Sequence, residues 1–544
     1  MSELIVINEQ RNVRLSKPTS TRYLYQIGSD GFSDNSATYV NDAKRLQQIA
    51  LEIRDEYSEF IYSLNDQFGA SFDGSLSGSV FLLSDCSAKR TEIFNTFGLI
   101  CNLLLLREII ATHRPSQIMV YGGDRQFCEA LIKIAGPVPL KINSQNKGRI
   151  PQQIRLVISD LRFILQVALI VFLKSLRNGS DAPPTHRKRA FFTIFPKMTD
   201  AQGRDRKYGK FVKSEDCVVT SIIADGLHQH VSVREFFRHR ATARKYGFGI
   251  IDDYLQHGDW IRGARSLLPF RGIFRKKPVC AEFRGVEIGG WIQQELQQSA
   301  SRLTRFSIIK GPFARFFQDY QIRELVYYLH EYPLGRLISL ILSVEQPQIR
   351  KIGYQHGPAS WSKMLYFMSP AETHIAPRYH RHVPIPDAVF AEDNNSAKIY
   401  EYSGYCNVQV LKKIWRIKYL DDIKPAKRES IWLIAPGLHD GEAMLLALSS
   451  VFASHPEKTI IVKPHPLANQ NYISRISPNL RVTVTFESLP ELLTKVGAVF
   501  VTYSSVGSEA LSLGIPVYLV HIPGIVNESP LADIKPEGGW IMCD

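Results

Sequence analysis

Two strand-to-loop transitions late in the chain constrain its fold most strongly. Residues 459–462 form an apolar, β-branched run that stops at Lys-Pro-His-Pro, residues 463–466. Residues 498–501 form a second such run, which stops shortly before the paired serines Ser504 and Ser505. Buried strands that alternate with helical stretches are typical of parallel sheets, in which ligands bind beyond the carboxyl ends of the strands. Helix N-termini at such an edge attract phosphate. The histidine and the two serines are therefore predicted to form a phosphate site.

The same alternation of strands and helices extends over most of the 544 residues, a length that one core does not accommodate. We predict an α/β fold with two Rossmann-type domains, whose parallel sheets face a central cleft. Residues 1–72 are predicted to be a helical N-terminal extension, because residues 42–68 have amphipathic helical spacing. An N-terminal α/β domain is expected over residues 73–425. A second, Rossmann-like domain is expected over residues 426–544.

Positive charge is concentrated in the middle of the sequence. The net charge is +14, residues 426–544 carry −3, and residues 186–278 alone carry +11. We interpret residues 186–278 as a basic insert in the first domain. A cationic face can bind anionic lipid headgroups or a polyanionic glycan, or it can be a plain solvated surface. Nucleic acid is not an expected partner, because the sequence has no RNA-binding or helix-turn-helix signature.

Other features bear on the compartment. The seven cysteines include no Cys-x-x-Cys pair, which indicates a reducing cytosol and no structural zinc. No signal peptide is apparent. The most apolar segment, residues 163–173, is about half of the ~20 residues that span a bilayer. Its apolar positions surround the helix, which indicates a buried helix or, alternatively, docking at a membrane surface.

Three motifs occur in a fixed order. They are Gln-His-Gly at residues 355–357, Lys-Pro-His-Pro at 463–466, and Ser504-Ser505 followed by Glu-Ala-Leu-Ser-Leu-Gly-Ile-Pro. This order resembles GT-B-fold bacterial surface-polysaccharide transferases with HP and SS motifs. They include CMP-sialic acid and Kdo transferase-like enzymes and CDP-glycerol glycerophosphotransferases. The resemblance is strongest over residues 320–525.

The resemblance implies a GT-B-like fold and a metal-independent, nucleotide-sugar-dependent glycosyltransferase of surface polysaccharide biosynthesis, making lipopolysaccharide O-antigen or capsule. The implied donor is CMP-linked, with a nonulosonic acid or Kdo-type sugar. The implied acceptor is lipid-linked or a glycan. No cofactor beyond the donor substrate is expected. The expected location is cytoplasmic and peripheral, at the anionic inner face of the bacterial cytoplasmic membrane.

The resemblance also implies a donor site, formed by the residues that match the family's motifs. His465 corresponds to the HP histidine, which donates to a donor phosphate oxygen, and Lys463 adds charge. Ser504 and Ser505 correspond to the serine pair that holds the same phosphate, although Ser505 could equally be a simple helix cap. Glu509 lies where related sheets place an acid against a ribose. Two glycines of the 436–441 loop are expected to let the backbone approach the nucleotide, namely Gly437 and Gly441.

The acceptor hydroxyl needs a base. The candidates are His356, which the Gly-Pro turn after it would hold at a strand end, Asp440, and Glu331. His356 matches the histidine of the glycerophosphotransferases and is favoured. Each also has a purely structural interpretation, as a turn residue, a helix cap or a core residue respectively.

Three other functions stay open from the sequence: a CDP-glycerol-type glycerophosphotransferase, a UDP-sugar 2-epimerase-like enzyme, and a non-catalytic scaffold with a partner in a polysaccharide assembly complex. GT-B proteins commonly finish with helices that cross back to the first domain. Because few residues follow the last predicted strand, we expect another segment or a partner to close the second domain.

Overall fold

The structure is a computed structural model. Parallel sheets and the helices that cover them form its architecture. It describes residues 2–8, 13, 21–28, 36–69, 71–73, 76–143, 152–176, 188–224, 232–276, 281–373, 384–411, 415–424, 430–438, 440–465, 468, 473 and 482–533.

The first sheet lies within residues 2–143, and its described strands have the order β3-β2-β1-β6-β7, all parallel. Strand β1 is central and almost fully buried. The elements of this part are β1 (Ser2–Asn8), β2 (Thr21–Ile27), β3 (Thr38–Tyr39), α1 (Ala43–Ser63), α2 (Asn65–Phe68), the antiparallel pair β4 (Ser71–Asp73) and β5 (Leu76–Ser79), α3 (Thr96–His113), β6 (Gln117–Gly122), α4 (Arg125–Ala135), β7 (Leu140–Asn143) and α5 (Gln152–Ser175).

The predicted helical extension over residues 1–72 is wrong in its first part, because β1 and β2 are strands at the centre of a sheet. Its second part is a helix as expected. Helix α1 begins at Asp42, whose carboxylate accepts a hydrogen bond of 2.8 Å from the backbone N–H of Arg45.

The second sheet contains the described strands in the order β10-β9-β8-β13-β14-β15-β16, again all parallel. Its elements are β8 (Arg189–Thr193), β9 (Cys217–Thr220), α6 (Val233–Lys245), β10 (Gly249–Ile250), α7 (His257–Arg275), the antiparallel pair β11 (Glu282–Phe283) and β12 (Val286–Glu287), α8 (Gly289–Tyr320), β13 (Glu324–Tyr327), α9 (Pro333–Glu345), β14 (Arg350–Tyr354), α10 (Pro370–Thr373), β15 (Ala388–Ala391), α11 (Asn394–Tyr402) and β16 (Val408–Val410).

The basic stretch 186–278 is not an insert. It supplies three strands of the second sheet, β8, β9 and β10, together with the helices α6 and α7. Residues 178–184 have the sequence Asn-Gly-Ser-Asp-Ala-Pro-Pro, which indicates a loop or linker, and they lie outside the described residues.

The third sheet has the order β19-β18-β17-β20-β21 among its described strands, all parallel. Strand β20 is buried at every position, as the apolar run predicts. The elements are β17 (Ile431–Ala435), α12 (Gly441–Ala447), α13 (Ser449–Ser454), β18 (Thr459–Val462), β19 (Val482–Val484), α14 (Leu489–Leu493), β20 (Ala498–Val501), α15 (Val506–Ser512) and β21 (Val517–Leu519).

Numbered from its own first strand, each sheet has the central order 3-2-1-4-5, which is the Rossmann arrangement. The predicted α/β fold with two Rossmann-type sheets is confirmed by the second and third sheets. An additional parallel sheet precedes them, and we call the parts of the chain that form the three sheets the first domain (residues 2–143), the second domain (residues 188–411) and the third domain (residues 415–519).

Residues 521–533, which we call the crossing segment, leave the third sheet and return to the earlier domains. Their hydrogen-bonded pairs include Gly28 with Pro523, Asn102 with Gly524, Gln47 with Asn527, and Trp361 with Asp533. The third sheet is also covered by a 3₁₀ segment, Trp415–Asp422, whose Leu420 is buried in the same core cluster as β20. The residues after the last strand therefore do cross back, contrary to the expectation, and a segment that precedes the third sheet also packs on it.

Two helices in the described part of the chain are long and apolar enough to cross a membrane by length and composition, Thr96–His113 and Gln153–Ser175. The first is 67% buried and the second 33%. The apolar segment noted at residues 163–173 is therefore part of a longer helix, α5.

Candidate functional site

Glu331 is a fully buried carboxylate at the carboxyl end of the second sheet. It follows β13 and precedes Pro333, which begins α9. Its Oε1 accepts a hydrogen bond of 2.5 Å from the Tyr400 hydroxyl, and its backbone carbonyl accepts one of 3.1 Å from Nε of Arg336. Its Oε2 accepts no hydrogen bond from any described residue. A buried carboxylate oxygen without a donor is costly, which favours a charged or polar group close to it.

That group is the imidazole of His356. Its Nδ1 lies 3.8 Å from Oε2 of Glu331, and its side chain is 15% exposed. His356 follows β14, the strand next to β13, so parallel pairing brings the two residues to the same edge. The pair can hold an imidazole in one orientation and stabilise its protonated form.

Local sequence explains the turn that carries His356. The fully buried Gln355 donates from Nε2 to the carbonyl of Gly357 at 2.8 Å and to Oγ of Ser396 at 3.1 Å, while its Oε1 accepts from the N–H of Glu392. The carbonyl of His356 itself accepts a hydrogen bond of 2.5 Å from Nζ of Lys207. The backbone of the Gln-His-Gly motif is therefore fixed on both sides of the histidine.

A second histidine, His330, packs beside Glu331. Its Nε2 lies 3.3 Å from Oε1 of Glu331, and it is fully buried. A Cβ at position 353 would lie 2.7 Å from its Nδ1, so only glycine fits in β14 there. Burial lowers the pKa of His330, although the Glu331 carboxylate acts in the opposite direction. His330 is thus a neutral, inaccessible neighbour, whereas His356 reaches the surface.

The first domain supports the same region from behind. The ring of Tyr332 meets the His356 ring edge to face, with centroids 5.3 Å apart. The guanidinium of Arg90 lies 4.6 Å from the Tyr332 ring centroid and is paired with Asp85 at 3.0 Å. A cation held over a tyrosine face stabilises the position of that ring.

The predicted donor edge lies at the carboxyl ends of β17, β18 and β20, which are neighbours in the third sheet. Lys463 follows β18, and its Nζ donates to the carbonyl of Glu487 at 2.6 Å. Burial lowers the pKa of Lys463, with the Glu487 charge opposing. His465 is partly exposed, and its carbonyl accepts from the N–H of Ala468 at 2.9 Å. Pro466 lies outside the described residues.

Ser504 and Ser505 are both partly exposed before α15. Ser505 occupies the N-cap position, but its side chain makes no capping hydrogen bond, and its backbone is helical there. Ser504 accepts only a long contact of 3.4 Å from the N–H of Val506. The expectation that Ser505 acts merely as a cap is therefore not supported by its geometry.

The switch point of the third sheet, between β17 and β20, is filled by an aromatic ring. A Cβ at Gly437 would lie 2.2 Å from Cζ of Tyr503, so glycine alone lets the two strand ends approach. Gly441 is the buried first residue of α12. Asp440 precedes it, 6% exposed, and makes no side-chain capping bond.

Glu509 has a partner within its own domain. It is buried on α15, and its Oε2 accepts a hydrogen bond from the Tyr419 hydroxyl of the 3₁₀ segment. This hydrogen bond ties α15 to the 3₁₀ segment that covers the third sheet, which gives Glu509 a structural role.

The structure thus brings Glu331 and His356 together on the second sheet and gathers the remaining predicted residues along the third sheet. Glu331 is fully buried, so its carboxylate does not reach the surface, whereas the side chain of His356 is 15% exposed. Sequence reasoning missed Tyr400, Tyr332 and Lys207. Only Lys207 had a signal, as a member of the basic stretch.

A cavity of about 610 Å³ lies elsewhere, between the first and third domains. It contains none of the predicted site residues. Its walls include Tyr25, Gln26, Asn41, Lys44, His521 and Pro523.

No protein-family model matches the chain, and no curated protein matches it. Among solved structures, it is similar to the UDP-GlcNAc 2-epimerase of Neisseria meningitidis, with 11% identity, a TM-score of 0.33, and coverage of 61% of this chain and 81% of that one. MurG of Acinetobacter baumannii has 10% identity, a TM-score of 0.32, and coverage of 64% and 82%. The wall teichoic acid polymerase TagF has 11% identity, a TM-score of 0.28, and coverage of 69% and 79%. These TM-scores are low, and the fold description rests on the chain's own three parallel sheets.

Proposed function

We propose that this chain is a nucleotide-dependent transferase that moves a glycosyl group from a phosphate-linked donor to an acceptor hydroxyl. The observation that carries the proposal is the pair formed by Glu331 and His356. A fully buried carboxylate stands 3.8 Å behind an imidazole that is itself partly exposed. This arrangement suits a general base whose protonated form is stabilised by a fixed negative charge.

In this mechanism the acceptor hydroxyl loses its proton to His356. Since Nδ1 is turned toward Glu331, the proton is taken by Nε2 on the opposite side of the ring. The acceptor oxygen forms a bond to the anomeric carbon, while the bond from that carbon to the donor phosphate oxygen breaks. The leaving nucleotide keeps the electron pair as phosphate charge. Glu331 holds the imidazole in its orientation.

The leaving phosphate needs donors aimed at its developing charge. In our proposal His465, Ser504 and Ser505 supply them, and Lys463 adds charge nearby. The uncommitted Ser505 side chain supports this assignment, because a capping role would have used its hydroxyl. The nucleotide approaches the backbone of the loop after β17, which contains Gly437 and Gly441, from the side that the Tyr503 ring does not occupy. Asp440 is the alternative base in this scheme, since it lies at the donor edge.

The finer proposal follows the motif resemblance. The donor is a CMP-linked nonulosonic acid or Kdo-type sugar, and the acceptor is a lipid-linked or glycan chain of a bacterial surface polysaccharide. A CDP-glycerol-type glycerophosphotransferase is the second candidate. It is favoured by the Gln-His-Gly turn, whose histidine is fixed by Gln355 and Lys207.

A donor screen tests these proposals. The purified chain is incubated with CMP-nonulosonates, CMP-Kdo, CDP-glycerol or UDP-GlcNAc and a mixture of glycan acceptors, and products are read by mass spectrometry. Release of CMP with a mass gain on the acceptor supports the glycosyltransferase, and release of CMP with a glycerophosphoryl gain supports the second candidate. Conversion of UDP-GlcNAc to its epimer, which has the same mass and is therefore followed by proton NMR, would overturn both. Failure to bind CMP, CDP or UDP in calorimetry would instead indicate a scaffold.

A further inference from the structure

Helix α5 carries an apolar face that the fold leaves uncovered. We call this face the apolar stripe. Its side chains are 45% to 69% exposed, and they are Ile154, Ile158, Leu161, Leu165, Leu169, Phe172 and Leu176. Monomeric proteins rarely expose continuous apolar patches larger than a few hundred Å², so a stripe of seven large apolar side chains indicates a surface that contacts something apolar.

The stripe is continuous because its members recur every three or four residues. At 100° per residue they fall within a sector of about 80°, and from Ile154 to Leu176 the sector is about 33 Å long. The opposite face of α5 is buried in the core through Phe163, Val167 and Ile170. The helix is thus apolar on two faces, and the described residues cover only one of them.

Helix α5 is firmly held, so the exposure is not that of a detached segment. The buried Asp160 pairs with Arg271 of α7 at 2.5 Å and with Arg305 of α8 at 3.6 Å. Near the other end, Nζ of Lys174 donates to the carbonyls of Asp252 and Asp253 at 2.8 and 2.7 Å. These anchors fix which face points outward.

Cationic helices adjoin the stripe. Helices α6 and α7 both pack against α5. These are the helices of the stretch that carries +11. Arg155 and Arg162 of α5 are exposed along one edge of the stripe, and Leu268 of α7 is 74% exposed one turn from Arg271. Other exposed cations on the two adjoining helices are Arg234, Arg238, Lys245, Arg265, Arg275 and Lys276.

We propose that the apolar stripe docks in the plane of an anionic lipid bilayer, with its leucine, isoleucine and phenylalanine side chains at the boundary of headgroups and acyl chains. The cations of α5, α6 and α7 then meet lipid phosphates. An apolar helical face beside basic residues is the pattern of interfacial membrane helices.

Charge argues against a second copy as the occupant. A symmetric dimer through the stripe would place the same surface of both chains together, and with it the positively charged helices of each. Like charges brought close in this way repel, whereas an anionic bilayer attracts them.

Vesicle binding tests the proposal with the full chain. Cosedimentation is measured with vesicles of pure phosphatidylcholine and with vesicles of equal parts phosphatidylcholine and phosphatidylglycerol. We expect binding only to the second kind, weakening at high salt as screening increases. The double substitution Leu165→Gln with Leu169→Gln should lower the partition coefficient roughly tenfold. Arg275→Gln should lower it about fivefold at low salt.

Phe486→Gln is the matched control. Phe486 is 74% exposed on the third domain, far in the chain from α5, and its substitution should leave vesicle binding unchanged. Three results would overturn the proposal: equal binding to both kinds of vesicle, wild-type binding by the Leu165/Leu169 variant, or a dimeric mass in light scattering that this variant converts to a monomer. The donor screen does not depend on vesicles, so the transferase proposal stands or falls separately.

Discussion

Nδ1 of His356 lies 3.8 Å from Oε2 of Glu331, and this contact joins a fully buried charge to a ring that reaches the surface. The contact connects two neighbouring strand ends, so it is fixed by the sheet rather than by a flexible loop.

His356→Ala and His465→Ala should have different effects. Loss of the base lowers kcat by about a hundredfold to ten-thousandfold, because the acceptor hydroxyl keeps its proton. Loss of a charged donor to phosphate weakens nucleotide binding by about tenfold to a hundredfold. Nucleotide affinity from calorimetry and turnover from product release separate the two. Equal losses of affinity in both variants would contradict this division of roles.

Glu331→Gln should keep the shape of the site and remove its charge. The imidazolium of His356 then lacks its stabilising partner, so kcat falls by about a hundredfold. The acid limb of the kcat profile should also move to lower pH, a change that a purely structural role would not produce. Tyr400→Phe is the matched control, since it removes one hydrogen bond to Oε1 and keeps the carboxylate. An unmoved acid limb in Glu331→Gln would reject the positioning role.

Ser505→Ala and Ser488→Ala should differ in their effects on stability and on nucleotide binding. Ser488 caps α14 in a complete capping box, so its loss should lower the free energy of unfolding by about 1 kcal/mol without affecting the nucleotide. Ser505 makes no capping bond. Its loss should change stability by less than about 0.5 kcal/mol while weakening nucleotide binding about fivefold. Urea unfolding and calorimetry provide the two readouts, and a Ser505 variant that loses stability alone would show that it is a cap.

Gly437→Ala should disturb the donor edge, because the new methyl group would lie 2.2 Å from the Tyr503 ring. Displacement of that ring should cost about 1 to 3 kcal/mol of stability and weaken nucleotide binding. Gly272→Ala is the control, since its methyl group would meet nothing within 4 Å in the exposed part of α7. That variant should be neutral or slightly more stable. Similar stability losses in both would exclude the steric explanation.

Glu295 should make stability depend on pH. Burial raises the pKa of Glu295 from 4.5 to about 8. The folded state therefore binds more protons than the unfolded state between these values, and stability falls as the pH rises through them. The total effect is on the order of 3 to 5 kcal/mol. Glu295→Gln keeps the shape and cannot ionise, so urea midpoints near pH 5 and pH 8 should differ less in the variant. An unchanged difference would place the titration elsewhere.

Strand prediction was most successful where the apolar runs were locally complete. The runs that end at Lys463 and shortly before Ser504 are β18 and β20, as expected. The apolar run at residues 79–84 has the composition of a strand, but most of it is a 3₁₀ turn, Phe81–Leu83, buried against α9. Its apolar residues are buried in the core but pair with no strand. The spacing of apolar residues does not distinguish a buried turn of this kind from a buried strand.

Strand β1 shows that the pairing of strands far apart in the chain is also not predictable from the local sequence. Its neighbours are β2 and β6, and β6 lies more than a hundred residues later in the chain. The pairing of Glu331 with Tyr400 is of the same kind, because a tyrosine on α11 carries no local sign of the acid that it meets. The motifs indicate which strands end in polar residues. Which of these polar residues contact one another depends on the tertiary structure.

The crossing segment has a consequence for synthesis. The backbone N–H of Gly28 is bonded to Pro523, and the amide of Asn102 to Gly524. A chain emerging from the ribosome presents Gly28 and Asn102 long before these partners exist. The first domain therefore completes its hydrogen bonds only after the third has been translated. Strands β1, β2 and β6 can pair with one another earlier, whereas these two hydrogen bonds form only when the crossing segment has been made.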